Sequence, residues 1–258
     1  MLLDPLRNLA PAQGVKVLPR HLAGPGPVDL RTTWPFSFDD DWTLHRSEEG
    51  TAYAISPCLR LWTRFIPEPE RWGKGTWTIG ASRVPFEPAA WQVAFEATTP
   101  IELLHDVHVS MFDLYREDRR SNQDRLFGDA AEPHEGYGPV FAHGWNHVAR
   151  PEGIQDFRSP DGLAGIRHRY DTRYGDGPGW RIWGGSPAQP NWEARFSLAA
   201  PTTLVAAFTA SLISTEPVHR MVKDIPRHTR HHLHVATAAA QQQSVAQPPP
   251  SPRPGRTR

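Results

Sequence analysis

The feature that most constrains this chain is an internal repeat. WTLHRSEEGTAYAISP, starting at Trp42, aligns with WNHVARPEGIQDFRSP, starting at Trp145, with five identities in sixteen positions, against roughly one expected from average composition. At the same offset of 103, Trp77 falls on Trp180 and Ile79 on Ile182; after a two-residue deletion Trp91 pairs with Trp192, Phe95 with Phe196, Pro100 with Pro201 and Leu103 with Leu204. A chain that repeats itself at this period is a tandem of one supersecondary unit, and both copies must fold the same way.

The second copy shows the unit most clearly. In NWEARFSLA, Trp192, Ala194 and Phe196 point to one face and Glu193, Arg195 and Ser197 to the other, the period of a half-buried strand. WRIWGG is a strand with Trp180 and Ile182 inward, and QDFRS and LAGIRHRY flank a Ser-Pro-Asp-Gly corner as a hairpin. The next segment, AAPTTLVAAFTASLI, starts a helix at Pro201 and carries Leu204, Val205, Phe208 and Leu212 as one stripe. The equivalent stripe in the first copy is Ile101, Leu104, His108 and Met111, with His105 on the helix surface and His108 at the edge of the face. The expected fold is α+β: two tandem modules, each a four-stranded antiparallel sheet followed by one packed helix. Trp carries much of the core, because the chain has 10 Trp in 258 residues and an apolar fraction of only 38%.

The organisation that follows is a lead segment over 1–41, a first β4α module over 42–115, a charged linker over 116–144 and a second β4α module over 145–215. A basic, His-rich segment covers 216–240, and 241–258 is a disordered Pro-rich tail with almost nothing to bury. Asp161 in SPDG looks like catalytic apparatus, yet the first copy has Cys58 in its place while keeping Ser56-Pro57. The turn-former is shared and the chemical group is not, so SPDG reads as a hairpin corner.

These motifs together resemble the SPDY-type domain of unknown function (DUF317), a family of filamentous actinobacteria usually found as two tandem copies. The matching text is PRHLAGPG at 19–26, FRSPDGLA at 157–164, WRIWGG at 180–185, FSLAAPTTLVAAF at 196–208 and EPVHR at 216–220. The first copy departs with ISPCL at the corner, and its lead-in VDLRTTWPFSFDDDW leaves only a shortened, Pro-interrupted helix. The resemblance implies a fold and a lineage and brings no catalytic residues.

Formal net charge is zero, so a polyanion partner has to be argued from local patches. One cysteine, Cys58, forbids an internal disulfide and fits a reducing, cytoplasmic setting. No apolar run is long enough to span a membrane and no secretory leader opens the chain. No nucleophile–base or phosphate-loop pattern is repeated between the copies, and no cofactor is called for. The reading is a non-catalytic binding or regulatory module for a protein or small ligand. The alternative is nucleic-acid binding through outward sheet faces, with Arg60, Trp62 and Arg64 in the first copy and Arg167, Arg169, Arg181, Trp183 and Arg195 in the second. The C-terminal cations Arg220, Lys223, Arg227, Arg230, Arg253, Arg256 and Arg258 would add salt-sensitive affinity. His228, His231 and His232 have the i, i+3, i+4 spacing of a helical metal site, although no carboxylate or Cys completes it.

Overall fold

The computed structural model describes residues 4–27, 29–36, 42–68, 75–121, 123–129, 131–170 and 177–236. The Pro-rich tail and its Arg253, Arg256 and Arg258 lie outside them.

The first copy runs through α1 (Leu30–Thr33), β2 (Thr43–Arg46), β3 (Ala52–Ile55), β4 (Leu61–Pro67), β5 (Gly75–Ala81), β6 (Trp91–Glu96) and α2 (Ile101–Arg120). The second repeats the order in α3 (Pro133–Ala142), β7 (Asn146–Arg150), β8 (Ile154–Arg158), β9 (Ala164–Arg169), β10 (Trp180–Ser186), β11 (Gln189–Phe196) and α4 (Thr202–Leu212). Each copy is therefore a five-stranded meander between two helices, not the four-stranded unit expected. The extra strand follows the first Trp of the repeat.

The copies join edge to edge. β6 pairs antiparallel with β11 and closes one ten-stranded sheet in the order β2-β3-β4-β5-β6-β11-β10-β9-β8-β7. The order reads the same from either end, and Ala94 opposite Arg195, an equivalent pair in the repeat, sits at its centre. On one face the helices pack pairwise in the matching order α1, α2, α4, α3. Joining the central edges leaves only β2 and β7 as free edges, a way to limit unwanted strand pairing.

Between sheet and helices lies one core. Trp77, Trp91 and Phe95 from the first copy and Trp180, Trp192 and Phe196 from the second are all buried in it, with Leu204, Val205, Phe208 and Leu212 on the helix side. Phe95 packs against both Phe196 and Phe208 across the joint. His108, expected at the edge of its helix face, is wholly buried: its Nε2 meets Thr63 Oγ1 at 2.9 Å and its Nδ1 the Leu104 carbonyl at 2.7 Å. Burial pushes its pKa down to about 4, against the Leu104 bond, which raises it.

α3 falls in the stretch expected to be a linker loop. Gly136, Gly138 and Pro139 hide it from helix propensity. A capping box between Glu132 and Glu135, Pro133 in the first turn, and the Gly136 carbonyl accepting from Thr209 Oγ1 at 2.8 Å hold it.

A second, smaller sheet unites the two ends of the described chain. β1 (Gly14–Leu18) lies between β12 (Val218–Met221) and β13 (His234–Ala236). Leu6, Val15, Val17, Leu22, Val218, Val222, Ile225 and Leu233 form its own core. Among the contacts that fasten it to the large layer, Trp192 Nε1 donates to the His21 carbonyl at 3.0 Å, and buried Arg220 clamps Glu102 of α2 with bonds of 2.6 and 2.7 Å.

Candidate functional site

Two places in the second copy break the symmetry of the repeat. The first is the corner. In both copies the Ser hydroxyl accepts the backbone N–H five residues on: Leu61 to Ser56 at 3.1 Å and Ala164 to Ser159 at 2.8 Å. Position four of the turn has positive φ in both, taken by Gly162 at 72° and, with strain, by Leu59 at 58°. The corner is thus the tight turn that the Ser-Pro text implies.

What covers each corner differs. α2 has 20 residues and α4 only 11. The extra turns of α2 bring Tyr115, Asp118 and Arg119 to the first corner, where with Pro57 and Cys58 they wall a cavity of about 290 Å³. Asp118 then folds the chain back by accepting from the N–H groups of Arg125 and Leu126, at 2.8 and 3.1 Å. α4 stops at Leu212, and the second corner opens on a larger cavity of about 360 Å³. Apolar walls come from Leu18, Pro19, Leu212 and Ile213; Trp145, Asp161, Thr215 and the imidazoles of His21, His143, His232 and His234 are among the other walls.

Asp161 is wired into this cavity. Its Oδ1 accepts from the Leu163 N–H at 2.9 Å and from Ser159 Oγ, and its Oδ2 meets His21 Nε2 at 3.2 Å. Burial pushes the Asp161 carboxyl up, but the bonds from His21, Ser159 and Leu163 outweigh it and hold the group well below the usual carboxylate range. His21 is itself buried, and its Nδ1 meets no partner. Burial and the neighbouring His231 push His232 down, while Asp161 pushes it up.

The second place is the outer face of the sheet, opposite the helices. Strand register sets Arg167, Arg181 and Arg195 side by side across β9, β10 and β11. Three like charges directly opposite one another repel, and two buried carboxylates compensate. Asp156, next in the row on β8, accepts from Arg167 Nε at 2.7 Å and Arg150 Nε at 2.8 Å. Glu193, only 5% exposed, accepts from Arg181 Nε at 2.7 Å and from Arg195. Burial pushes both carboxyls up, and their arginine partners hold them below the ordinary range.

Trp183, expected as an accessible stacking platform, does point outward but is only 3% exposed. It lies flat across Gly165 of the neighbouring strand, where a β-carbon would come within 2.2 Å of its ring. Arg158 caps it, 4.4 Å from the ring centroid. Trp62 of the first copy lies across Gly80 in the same way, with the exchange of places that the repeat makes visible: Trp62 corresponds to Gly165, and Gly80 to Trp183.

Residues 55–116 and 158–218 each match the family model of SPDY, a domain of unknown function (DUF317). The chain carries two tandem SPDY domains. No curated protein and no solved structure matches it significantly. Both SPDY matches open one residue before the Ser-Pro corner, at Ile55 and Arg158; the first ends within α2 and the second runs past α4 into the small sheet.

The remaining predicted residues scatter. In the first SPDY domain Arg64 is exposed beside Trp62, which stacks near Tyr53 at 6.3 Å, whereas Arg60 turns away to Asp124 at 3.2 Å and to the Phe127 ring. Arg169, on the outer side of β9, packs over Gly177. His228, His231 and His232 lie on a 3-10 turn, Arg227–His232, and do not converge: His228 Nε2 meets Asn191 Oδ1 at 2.5 Å while the rings of His231 and His232 stack at 4.0 Å. Among the described residues no group of three His, Cys, Asp or Glu side chains is placed to hold a metal ion. Of the C-terminal cations, Arg220 is consumed by Glu102 and the Gly24 carbonyl, and Arg230 by the carbonyls of Val222 and Ile225. Among the described residues no helix is long and apolar enough to cross a membrane.

Proposed function

We propose that this tandem SPDY protein is a non-catalytic binding module that holds a small ligand in the cavity at the second corner. The observation that carries the reading is the asymmetry between equivalent corners. The first carries a smaller cavity, about 290 Å³, walled mainly by its own extended helix. The second cavity is larger, about 360 Å³, a volume typical of small-molecule sites, and is ringed by groups from five segments of the chain. Trp145 and the aliphatic walls suit a planar, partly apolar ligand, and the unpartnered Nδ1 of buried His21 suits one hydrogen bond to it. The wiring supports a binding role over catalysis. Ser159 gives its hydrogen to Asp161, His21 meets only the far oxygen of that carboxylate, and no nucleophile–base pair results. A cytoplasmic setting rests on the single cysteine.

A thermal-shift screen of the full chain against a metabolite library tests this, with Thr215→Trp, an exposed wall residue, as the variant that fills the cavity. Compounds that stabilise the wild type should lose their effect on the variant. Hits that ignore the substitution, or no hits at all, would overturn it.

A second reading, nucleic-acid binding, draws on the row Arg167, Arg181 and Arg195. The burial of Trp183 removes the stacking platform that single strands would use, so backbone contact alone would carry affinity, with a steep salt dependence. A DNA and RNA titration across salt, with and without residues 219–258, separates it from the cavity reading.

A further inference from the structure

Arg158 and Trp183 touch, and each has a buried N–H that no acceptor among the described residues meets: Nη1 of the arginine and Nε1 of the indole. Guanidinium and indole only donate, so neither can satisfy the other. A buried donor left alone forfeits its hydration without replacement, and a bound water or ion is one way native proteins satisfy it. The nearby carboxylates are already engaged, Asp156 by Arg167 and Arg150 and Glu193 by Arg181 and Arg195. Arg181 stands over the same indole, 5.4 Å from its centroid.

The electrostatics point the same way. Six guanidiniums, those of Arg150, Arg158, Arg167, Arg169, Arg181 and Arg195, stand on the outer side of β7–β11 with two carboxylates, Asp156 and Glu193; Glu96 of β6 faces the same side across the joint. Arg158 feels it: burial weakens its hold on its proton, Asp156 strengthens it, and Arg167, Arg150 and Arg181 weaken it again.

The first SPDY domain serves as an internal control. The positions equivalent to Arg158, Arg181, Trp183 and Arg195 hold Ile55, Thr78, Gly80 and Ala94, and those of Asp156 and Glu193 hold Tyr53 and Gln92. Arg64 keeps the place of Arg167, but the positions of Arg158, Arg181, Arg195 and Trp183 and of the two compensating carboxylates hold none of these groups in the first copy. Folding of the module therefore does not require them.

We propose that the outer face of the second SPDY domain binds a phosphate-type oxyanion, whose oxygens accept from Arg158 Nη1 and Trp183 Nε1 while Arg167 and Arg181 supply flanking charge. An acceptor-only group with several oxygens is what a donor-only, cation-rich site recognises. The site stands apart from the corner cavity and does not depend on it.

The test is ¹⁹F NMR of the full chain labelled with 5-fluorotryptophan, titrated with inorganic phosphate in the millimolar range at ionic strength held constant with chloride. Trp183→Phe assigns the resonance. Phosphate should shift the Trp183 signal saturably and leave Trp62 still; Arg158→Gln should abolish the shift. Arg158→Lys, which keeps charge and most packing, should weaken binding by about tenfold through loss of the planar donors. Should Arg158→Gln fail to fold, Arg158→Lys decides. A short oligonucleotide forms the second arm: if it displaces phosphate from Trp183 the natural source is a nucleic-acid backbone, and if it does not the source is a small phosphorylated ligand. A Trp183 signal that stays still, moves with chloride alone, or responds equally in the Arg158 variants would overturn the proposal.

Discussion

Trp77 and Trp180 hold the same place in the two SPDY domains, and so do Ile79 and Ile182, Trp91 and Trp192, and Phe95 and Phe196; all eight are buried under the helices. On the other side of the same strands the copies part company. Thr78 faces outward where Arg181 does, Ala94 where Arg195 does and Gln92 where Glu193 does. The difference separates two demands. The inner face must fill one shared core, so it tolerates little change. The outer face and the corners owe the core nothing, and there the second copy has acquired charge and a larger corner cavity walled in part by both ends of the described chain.

The Trp–Gly exchange shows how strict the limit is even outside the core. A large indole laid across a strand needs a glycine beneath it. The copies keep the pair while swapping which strand carries which member, Trp62 over Gly80 in one and Trp183 over Gly165 in the other. The physical unit retained is the cross-strand pair.

If the inner faces are equivalent, truncation should hurt both copies alike. Trp77→Ala and Trp180→Ala should each cost about 3–5 kcal/mol in chemical denaturation. One shared transition for the whole chain is expected, because the core crosses the β6–β11 joint. Two separated transitions, or a large inequality between the variants, would break the comparison.

Acid sharpens it. Each copy buries one histidine, His108 in the first and His168 in the second, and burial pushes both down to about 4. Between an ordinary value of 6.5 and about 4 the unfolded chain takes up a proton that the folded chain refuses. Stability is therefore full above that window and falls as pH drops through it, by up to about 3 kcal/mol for the fully buried His108. His168 stacks on Trp180 at 3.8 Å, as Phe65 does on Trp77 at 4.4 Å. His168→Phe should therefore keep the packing and flatten the fall in melting temperature between pH 7 and pH 5. An unchanged slope would show that His168 is not the buried neutral group described.

The smallest effect concerns the exchanged pair. Gly165→Ala and Gly80→Ala push a β-carbon to 2.2 and 2.3 Å from the indole, so each should cost about 1–3 kcal/mol. Trp183→Gly combined with Gly165→Trp rebuilds the first copy's arrangement in the second and should lose less than the sum of its single changes. Strict additivity would contradict the pair as a unit.

Much of the inner face was legible in the sequence, because the repeat and the period-two alternation both report burial. The fifth strand was not: β7 is exposed at all five positions and β2 has no buried residue, so an edge strand leaves no apolar trace. α3 was hidden by its glycines and by Pro139, and the small sheet by distance, since β1 finds its partners some two hundred residues away. The outward arginines were legible too, and the same alternation put Glu193 among them. What alternation cannot supply is register, and register is what sets Asp156 beside Arg167 and lays Trp183 on Gly165. Asp161 read correctly as a turn residue, but its partner His21 lies 140 residues away and no local pattern announces it.

The central claim is that binding resides in the second SPDY domain although both share one scaffold. A fragment screen followed by backbone amide NMR of the full chain tests it most directly. The account predicts that fragment-induced shifts gather on Asp161, Ser214, Thr215 and the other walls of the second corner, leaving Cys58, Tyr115 and Arg119 at the first corner unmoved. Shifts gathered at the first corner, or spread equally over both, would contradict it.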